Sequence, residues 1–226
     1  MSAIAEALAE VRSRIERAAK SASRDPNSVR LVAVSKTKPA AAVREAYAAG
    51  QRDFGENYAQ ELAEKAEQLG DLADIRWHFI GHLQSNKAKL VAPVARVVHT
   101  VDTPSLAREL AKRVEKLGRE PLRVLVEVNV GGEAQKHGVS PDAVGELLDA
   151  VAAQPGLVLQ GLMTIPPHDL DETRRAFEAL AELRERHGGA ERLPELSMGM
   201  TDDLEIAVAC GATMVRVGTA IFGARG

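Results

Sequence analysis

Eight short apolar runs alternate with longer segments of helical spacing, and this alternation constrains the fold more than any other feature. The runs are Leu31–Ser35, Asp53–Asn57, Arg76–Gly81, Arg96–Val101, Arg123–Val130, Leu157–Thr164, Glu195–Ser197 and Met214–Gly218. Helical spacing occupies Ala40–Ala49, Tyr58–Leu69, Ser85–Val91, Pro104–Leu117, Pro141–Ala153, Leu170–His187 and Asp202–Cys210, after a first helix over about Ala3–Ala22. Pro39, Pro104 and Pro141 stand where a first helical turn tolerates a missing N–H, and Gly50, Gly70, Gly118 and Gly211 follow helix ends. This is the pattern of a parallel (β/α)₈ TIM barrel; an open doubly wound sheet shares the alternation. Closure is favoured because the repeat reaches eight without a long insertion and candidate functional residues follow nearly every strand. Only Ile221–Gly226 remain after the last run, so the N-terminal helix is expected to cover the place of an eighth outer helix. No linker or low-complexity tract divides the chain, and a single domain over 1–226 is expected.

Composition narrows the function classes. Of 226 residues, 45% are hydrophobic, enough to close a core without disulfides or metal. Lys and Arg number 29 against 32 Asp and Glu, a net charge of −3, and aromatics are 3%. Neither the basic excess nor the stacking residues of a nucleic-acid binder are present. No apolar run approaches the ~20 residues that span a bilayer. The start, MSAIAEALAEVRSRIERAAKSA, carries Glu6 and Glu10 and does not read as a signal or transit peptide. With a lone cysteine, Cys210, the expectation is a cytoplasmic monomer that contacts neither nucleic acid nor membrane.

Lys36 ends the first apolar run, so a buried strand delivers an amine to the barrel mouth. Partial desolvation there favours neutral amine able to attack a carbonyl; the alternative is a lysine snorkelling to solvent. Lys38 reads as surface charge. Ser197-Met-Gly-Met-Thr201-Asp-Asp203 and Arg216-Val-Gly218-Thr219 follow the seventh and eighth strands, where such barrels bind phosphate. Gly199 and Gly218 permit close backbone approach, Ser197 and Thr219 offer hydroxyls, and Thr201 or a neighbour is expected to cap a helix starting near Asp202. Arg216 alternates with Val215 and Val217, so it points opposite to them; a buried guanidinium needs an acceptor, either internal (Glu127 or Asn129) or on a ligand. His78 and His82 lie on a strand, about 13 Å apart, and His99, His137, His168 and His187 lack ligand spacing, so no metal site is expected. Asn57 and Ser85 open loops that serve as ligand contacts or as caps. The polar loop 131–138, with Lys136, is the candidate lid.

Five blocks in order carry a resemblance: VAVSKTKP around Lys36, FGENYAQE from Phe54, WHFIGHLQSNK from Trp77, GLMTIPP from Gly161, and LSMGMTDD with VRVGTAIFG near the C-terminus. From Leu31 to Gly223 the chain resembles the YggS/PROSC family, the pyridoxal phosphate homeostasis proteins. The resemblance implies a barrel like the N-terminal, cofactor-binding domain of alanine racemase, with pyridoxal 5′-phosphate (PLP) held covalently on Lys36 as an internal aldimine. It implies that Ser197, Gly218 and Thr219 hold the phosphate with help from Thr201, that Asn57 sits beside the ring, and that Arg216 meets the pyridine nitrogen or leans to the phosphate. Lys136 is a second amine to weigh as PLP-reactive. The expected function is an intracellular PLP carrier and buffer, in transient contact with PLP-dependent apoenzymes. The alternatives are a low-activity amino-acid racemase and a Schiff-base aldolase. The short stretch after Gly218 leaves no room for the second domain that racemases of this fold use, which favours the carrier.

Overall fold

A computed structural model describes residues 2–133, 135–167 and 169–224. Its strands are β1 (Arg30–Val34), β2 (Asp53–Glu56), β3 (Arg76–Phe79), β4 (Val97–Val101), β5 (Leu122–Glu127), β6 (Leu157–Met163), β7 (Glu195–Ser197) and β8 (Met214–Val217). They pair in sequence order, all parallel, and β8 returns to β1 to close the barrel. The helices are α1 (Ala3–Ser21), α2 (Ala40–Ala48), α3 (Ala59–Gln68), α4 (Ala88–Val91), α5 (Pro104–Leu117), α6 (Val144–Ala152), α7 (Leu170–Arg186), α8 (Gly189–Arg192), α9 (Leu204–Ala209) and α10 (Thr219–Phe222). The closed (β/α)₈ barrel agrees with the pattern of alternation.

Strand periodicity sorts the side chains into two cores. Residues such as Ala33, Phe54, Trp77 and Val98 face outward and pack under Leu62, Leu110, Leu148 and Phe177 of the helices. The inward positions include a small separate cluster of Val97, Leu125 and Met163, and a file in which Gly55, His78 and Val97 stand side by side across β2, β3 and β4. Helix α5 shows how the outer ring is specified. Thr103 caps it by accepting from the Leu106 amide, Pro104 opens it, and Gly118 ends it at φ 59°. Leu106, Leu110 and Val114 form its buried stripe, each contributing about 1.5–3 kcal/mol relative to exposure.

Three expected helices begin differently. Ser85–Val91 splits into a 3₁₀ turn, Ser85–Lys87, and α4; Pro141–Ala143 is likewise 3₁₀ before α6. The helix expected near Asp202 starts at Leu204 instead, because the Asp203 carboxylate turns back to accept from the Met200 amide and holds 201–203 as a turn. Helices α8 and α10 are too short to leave a periodic signal. Helix α1 packs on α2, α9 and α10, across the seam where the last strand meets the first.

Candidate functional site

At the C-terminal ends of the strands lies a cavity of about 310 Å³, lined on its polar side by Lys36, Lys38, Asn57, Thr201, Arg216 and Thr219. Val34, Ile80, Ile165 and Phe222 supply an apolar wall. The volume falls at the small end of ligand pockets, about 300–1,000 Å³. Lys38, read as surface charge, in fact lines the cavity and donates to the Ala224 carbonyl at 2.7 Å.

The loop presenting Lys36 is held from beneath by a buried lysine. The Lys65 ammonium, 4% exposed, donates to Ser35 O at 2.6 Å and to Glu56 Oε1 and Glu61 Oε1 at 2.7 Å each. Ser35 Oγ donates to the same Glu56 oxygen, and the Thr37 amide donates to Glu61 Oε1 at 2.6 Å. The residues on both sides of Lys36 are therefore pinned to the Glu56–Lys65–Glu61 cluster. Thr37 needs the anchor: its φ of 63° is uncommon for a β-branched residue, and such backbone strain concentrates at functional sites. Burial pushes the Glu56 carboxyl up, while Lys65 and Ser35 pull it back.

Thr201, Asp202, Gly218 and Thr219 also line the cavity. A Cβ on Gly218 would press on the Val34 carbonyl oxygen at 3.1 Å, so the β8 end can lie this close to β1 only without a side chain. Arg14 of α1 ties down the 201 turn, donating to Thr201 O at 2.9 Å while holding Glu205 through two nitrogens. Thr201 thus sits on a turn, not on a helix cap.

Ser197 is placed differently from the other expected phosphate contacts. It is fully buried inside the barrel, does not line the cavity, and accepts from Arg216 Nη1 at 2.7 Å. Arg216 Nη2 donates to Thr164 O at 2.9 Å. The expected acceptors Glu127 and Asn129 do not hydrogen-bond Arg216; Glu127 and Asp203 act on it only through charge. Burial lowers the guanidinium to about 10, so it stays protonated at neutral pH. Because Arg216 can only donate, the contacts beyond Ser197 acquire a direction. Ser197 gives its hydroxyl proton to His99 Nδ1 (2.8 Å), His99 Nε2 donates to His78 Nδ1 (2.9 Å), and His78 Nε2 donates to Asp53 Oδ1 (2.9 Å). Both histidines are neutral in this arrangement, in line with burial lowering the pKa of each. A single hydrogen-bonded file thus crosses the barrel interior from Arg216 to Asp53.

Sequence spacing also missed a meeting of His82, Asp102 and His137 at the loop ends of β3, β4 and β5. The His82 and His137 rings stack at 3.6 Å with an 8° interplanar angle, and His82 Nδ1 lies 3.6 Å from Asp102 Oδ2. In-plane lone pairs of stacked rings run side by side without converging, so the stack clasps the loop 131–138 to the β3 end. Lys136 pairs with Glu133 and donates to Pro166 O at 3.0 Å; it does not line the cavity.

Glu127, 4% exposed with Oε2 unpaired, is raised to about 7 by burial and by the nearby Asp102. An unfolded glutamate ionises near its ordinary 4.5. Its stabilising contribution is therefore complete below that value and is lost as pH rises through about 7. Glu127→Gln, which cannot ionise, is expected to gain on the native protein by roughly 2–3 kcal/mol between pH 4.5 and 7.5. Urea unfolding across that range measures it; a constant difference would place Glu127 ionised at neutral pH.

A parallel eight-stranded barrel with a lysine just past its first strand, in one cavity with the turns after its last two strands, defines a class. The family described as "Alanine racemase, N-terminal domain" matches residues 7–226, and the chain belongs to it. It is 51% identical over 228 residues to the pyridoxal phosphate homeostasis protein of Pseudomonas aeruginosa, covering 100% of this chain and 97% of that one. The pyridoxal phosphate homeostasis protein of Escherichia coli K12 is 46% identical over 232 residues, covering 100% and 98%. The solved structure of PipY from Synechococcus elongatus with PLP bound superposes with a TM-score of 0.82 at 42% identity, covering 97% of this chain and 100% of that one. Within the racemase-domain family, the chain is a member of the pyridoxal phosphate homeostasis (YggS/PROSC) group.

Proposed function

We propose that this chain binds pyridoxal 5′-phosphate in the upper cavity, covalently through Lys36, and acts as a cytoplasmic carrier and buffer of the cofactor. The observation that carries the reading is one cavity lined by Lys36, Asn57, Thr201, Arg216, Gly218 and Thr219 together. Asn57 lines this cavity, and its buried Oδ1 has no hydrogen-bond partner, an unmet acceptor that costs about 1–3 kcal/mol. The residues therefore fit a ligand that carries an aldehyde, a phosphate and a polar ring. The cofactor supplies the aldehyde that condenses with an amine, releasing water.

Each side chain has a task in this reading. Lys36 anchors, and the Lys65 cluster fixes the loop that presents it. Thr201, Gly218 and Thr219 would hold the phosphate, and Asn57 would stand beside the ring. Arg216, its guanidinium held by Ser197 and Thr164, would donate to the phosphate or to the pyridine nitrogen. A permanent donor at the nitrogen opposes its protonation and weakens the ring as an electron sink, which favours storage and delivery over turnover. Delivery implies transient contact with PLP-dependent apoenzymes.

The purified protein incubated with PLP is expected to be yellow, with a visible band that borohydride bleaches and that Lys36→Ala lacks. A colourless native protein overturns the reading. In deuterated water, slow or absent exchange of the α-proton of D- and L-amino acids is expected of a carrier. Rapid exchange lost in Lys36→Ala would make the protein a racemase-type enzyme.

A further inference from the structure

The opposite end of the barrel carries a second constellation with no part in that function. Arg30 opens β1, Arg76 opens β3, Arg96 immediately precedes β4 and Arg123 is the second residue of β5. All four line one cavity of about 270 Å³ at the N-terminal ends of the strands, together with Asp53 and His78. We propose that this basal cavity is an oxyanion site for a phosphate group, distinct from the upper cavity.

Charge accounting carries the argument. The chain as a whole is acidic, at −3, so four guanidinium groups in one cavity reflect no general basic bias. The cavity contains one carboxylate, and both its oxygens are engaged: Asp53 Oδ1 accepts from Arg76 Nε and His78 Nε2, and Oδ2 accepts from Arg76 Nη2. Arg30 is met by Glu195 Oε1 at 3.2 Å, and the other Glu195 oxygen accepts from Thr213. Arg96 and Arg123 have no carboxylate partner among the described residues. Two positive charges are left uncompensated at the mouth of a cavity whose floor is neutral histidine. Arg123 stands in register with Val97, one of the barrel's interior residues, so its strand position aims it at the barrel axis. Arginine, unlike lysine, presents planar forks that match phosphate oxygens two at a time.

Size and surroundings narrow the class. The cavity is below the usual range for a whole organic ligand, about 300–1,000 Å³, and suits a phosphate group. Through Arg30, Asp53 and Arg76 it shares walls with a second cavity of about 530 Å³ that runs along α1 past Arg12 and Arg52. The organic remainder of a phosphate monoester would extend there.

The test is calorimetric titration of the full chain, previously saturated with PLP, using inorganic phosphate and then glycerol phosphate at constant ionic strength. Saturable binding is expected, weakened roughly tenfold or more in Arg96→Gln/Arg123→Gln, whose exposed substitutions leave the melting temperature in place. The His78 ring resonances should shift on titration in the native protein and stay fixed in the double variant. Tighter glycerol phosphate identifies a monoester ligand, and equal affinities identify free phosphate. Binding that chloride matches at equal ionic strength, or that the double variant leaves unchanged, overturns the proposal. So does binding lost in Lys36→Ala, which would assign the phosphate to the upper cavity. A protein that stays colourless with PLP but still binds phosphate at these arginines would defeat the carrier reading and leave this one standing.

Discussion

Lys65→Met is expected to destabilise the protein by about 3–5 kcal/mol, the usual cost of removing one partner from a buried ion pair. All three ammonium hydrogens of Lys65 are used, on Ser35 O, Glu56 Oε1 and Glu61 Oε1. Glu56 is fully buried and already has one unpaired oxygen, Oε2. Without Lys65 its carboxylate must stay charged and unpaired or take up a proton. Burial already pushes its pKa up, so the variant should favour the protonated form and lose further stability as pH rises. Urea unfolding at pH 5 and 8 separates this from a packing defect, which would be pH-independent. Glu56→Gln/Lys65→Met should recover more than half of the loss, since the isolated charge is then gone. A second effect falls on Lys36. With Ser35 O released, the turn around the strained Thr37 loses one of its three anchors, and PLP affinity should fall under conditions where the variant is fully folded. A loss below about 1 kcal/mol would mean that water replaces the ammonium.

How much of this was legible in the sequence follows from the range over which each signal acts. Strand and helix order could be read because each element declares itself locally, by apolar period and by caps such as Thr103 and Gly118. Lys36, Asn57, Thr201, Arg216, Gly218 and Thr219 could be gathered from the family blocks and from their place at strand ends, and they share one cavity. Ser197 stands in the same block as Thr201, yet it is the last residue of β7, in register with Met214 inside the barrel. Strand parity, not proximity in sequence, separates a buried hydroxyl from one on the cavity. Lys65 stands four residues from Glu61, the spacing of an ordinary exposed helix pair; only the packing of α3 beneath the β1 loop makes it internal. The file from Arg216 to Asp53 has partners 19 to 98 residues apart, beyond any spacing rule. Its one sequence trace is the presence of Asp53, His78, His99, Ser197 and Arg216 in otherwise apolar strands. The basal arginines leave a similar trace at or beside the first residues of strands.

Gly81→Ala is expected to cost about 3 kcal/mol or more and to remove most PLP binding. A Cβ there would lie 2.1 Å from Asn57 O and 2.8 Å from Asn57 C and Cα, all backbone atoms without a rotamer to move. The loops leaving β2 and β3 touch at this point, and the Gly81 carbonyl is itself held by Thr100 Oγ1 at 2.6 Å. Relief therefore requires one strand end to shift, at the upper end of the usual ~1–3 kcal/mol for overpacking. At roughly 2–4 °C per kcal/mol for a chain of this size, the melting temperature should drop by about 6–12 °C. The shift falls on Asn57, a residue that lines the cavity, so affinity should suffer beyond what lost stability explains. Gly70→Ala is the matched control: its nearest contact is a carbonyl oxygen at 3.4 Å, and no left-handed φ is required there. That substitution should leave the melting temperature within a degree or two and the cofactor spectrum unchanged, because it only restricts the unfolded chain. Equal behaviour of the two variants would show that the β2 and β3 loops yield freely, and that the position of Asn57 does not depend on the glycine beside it.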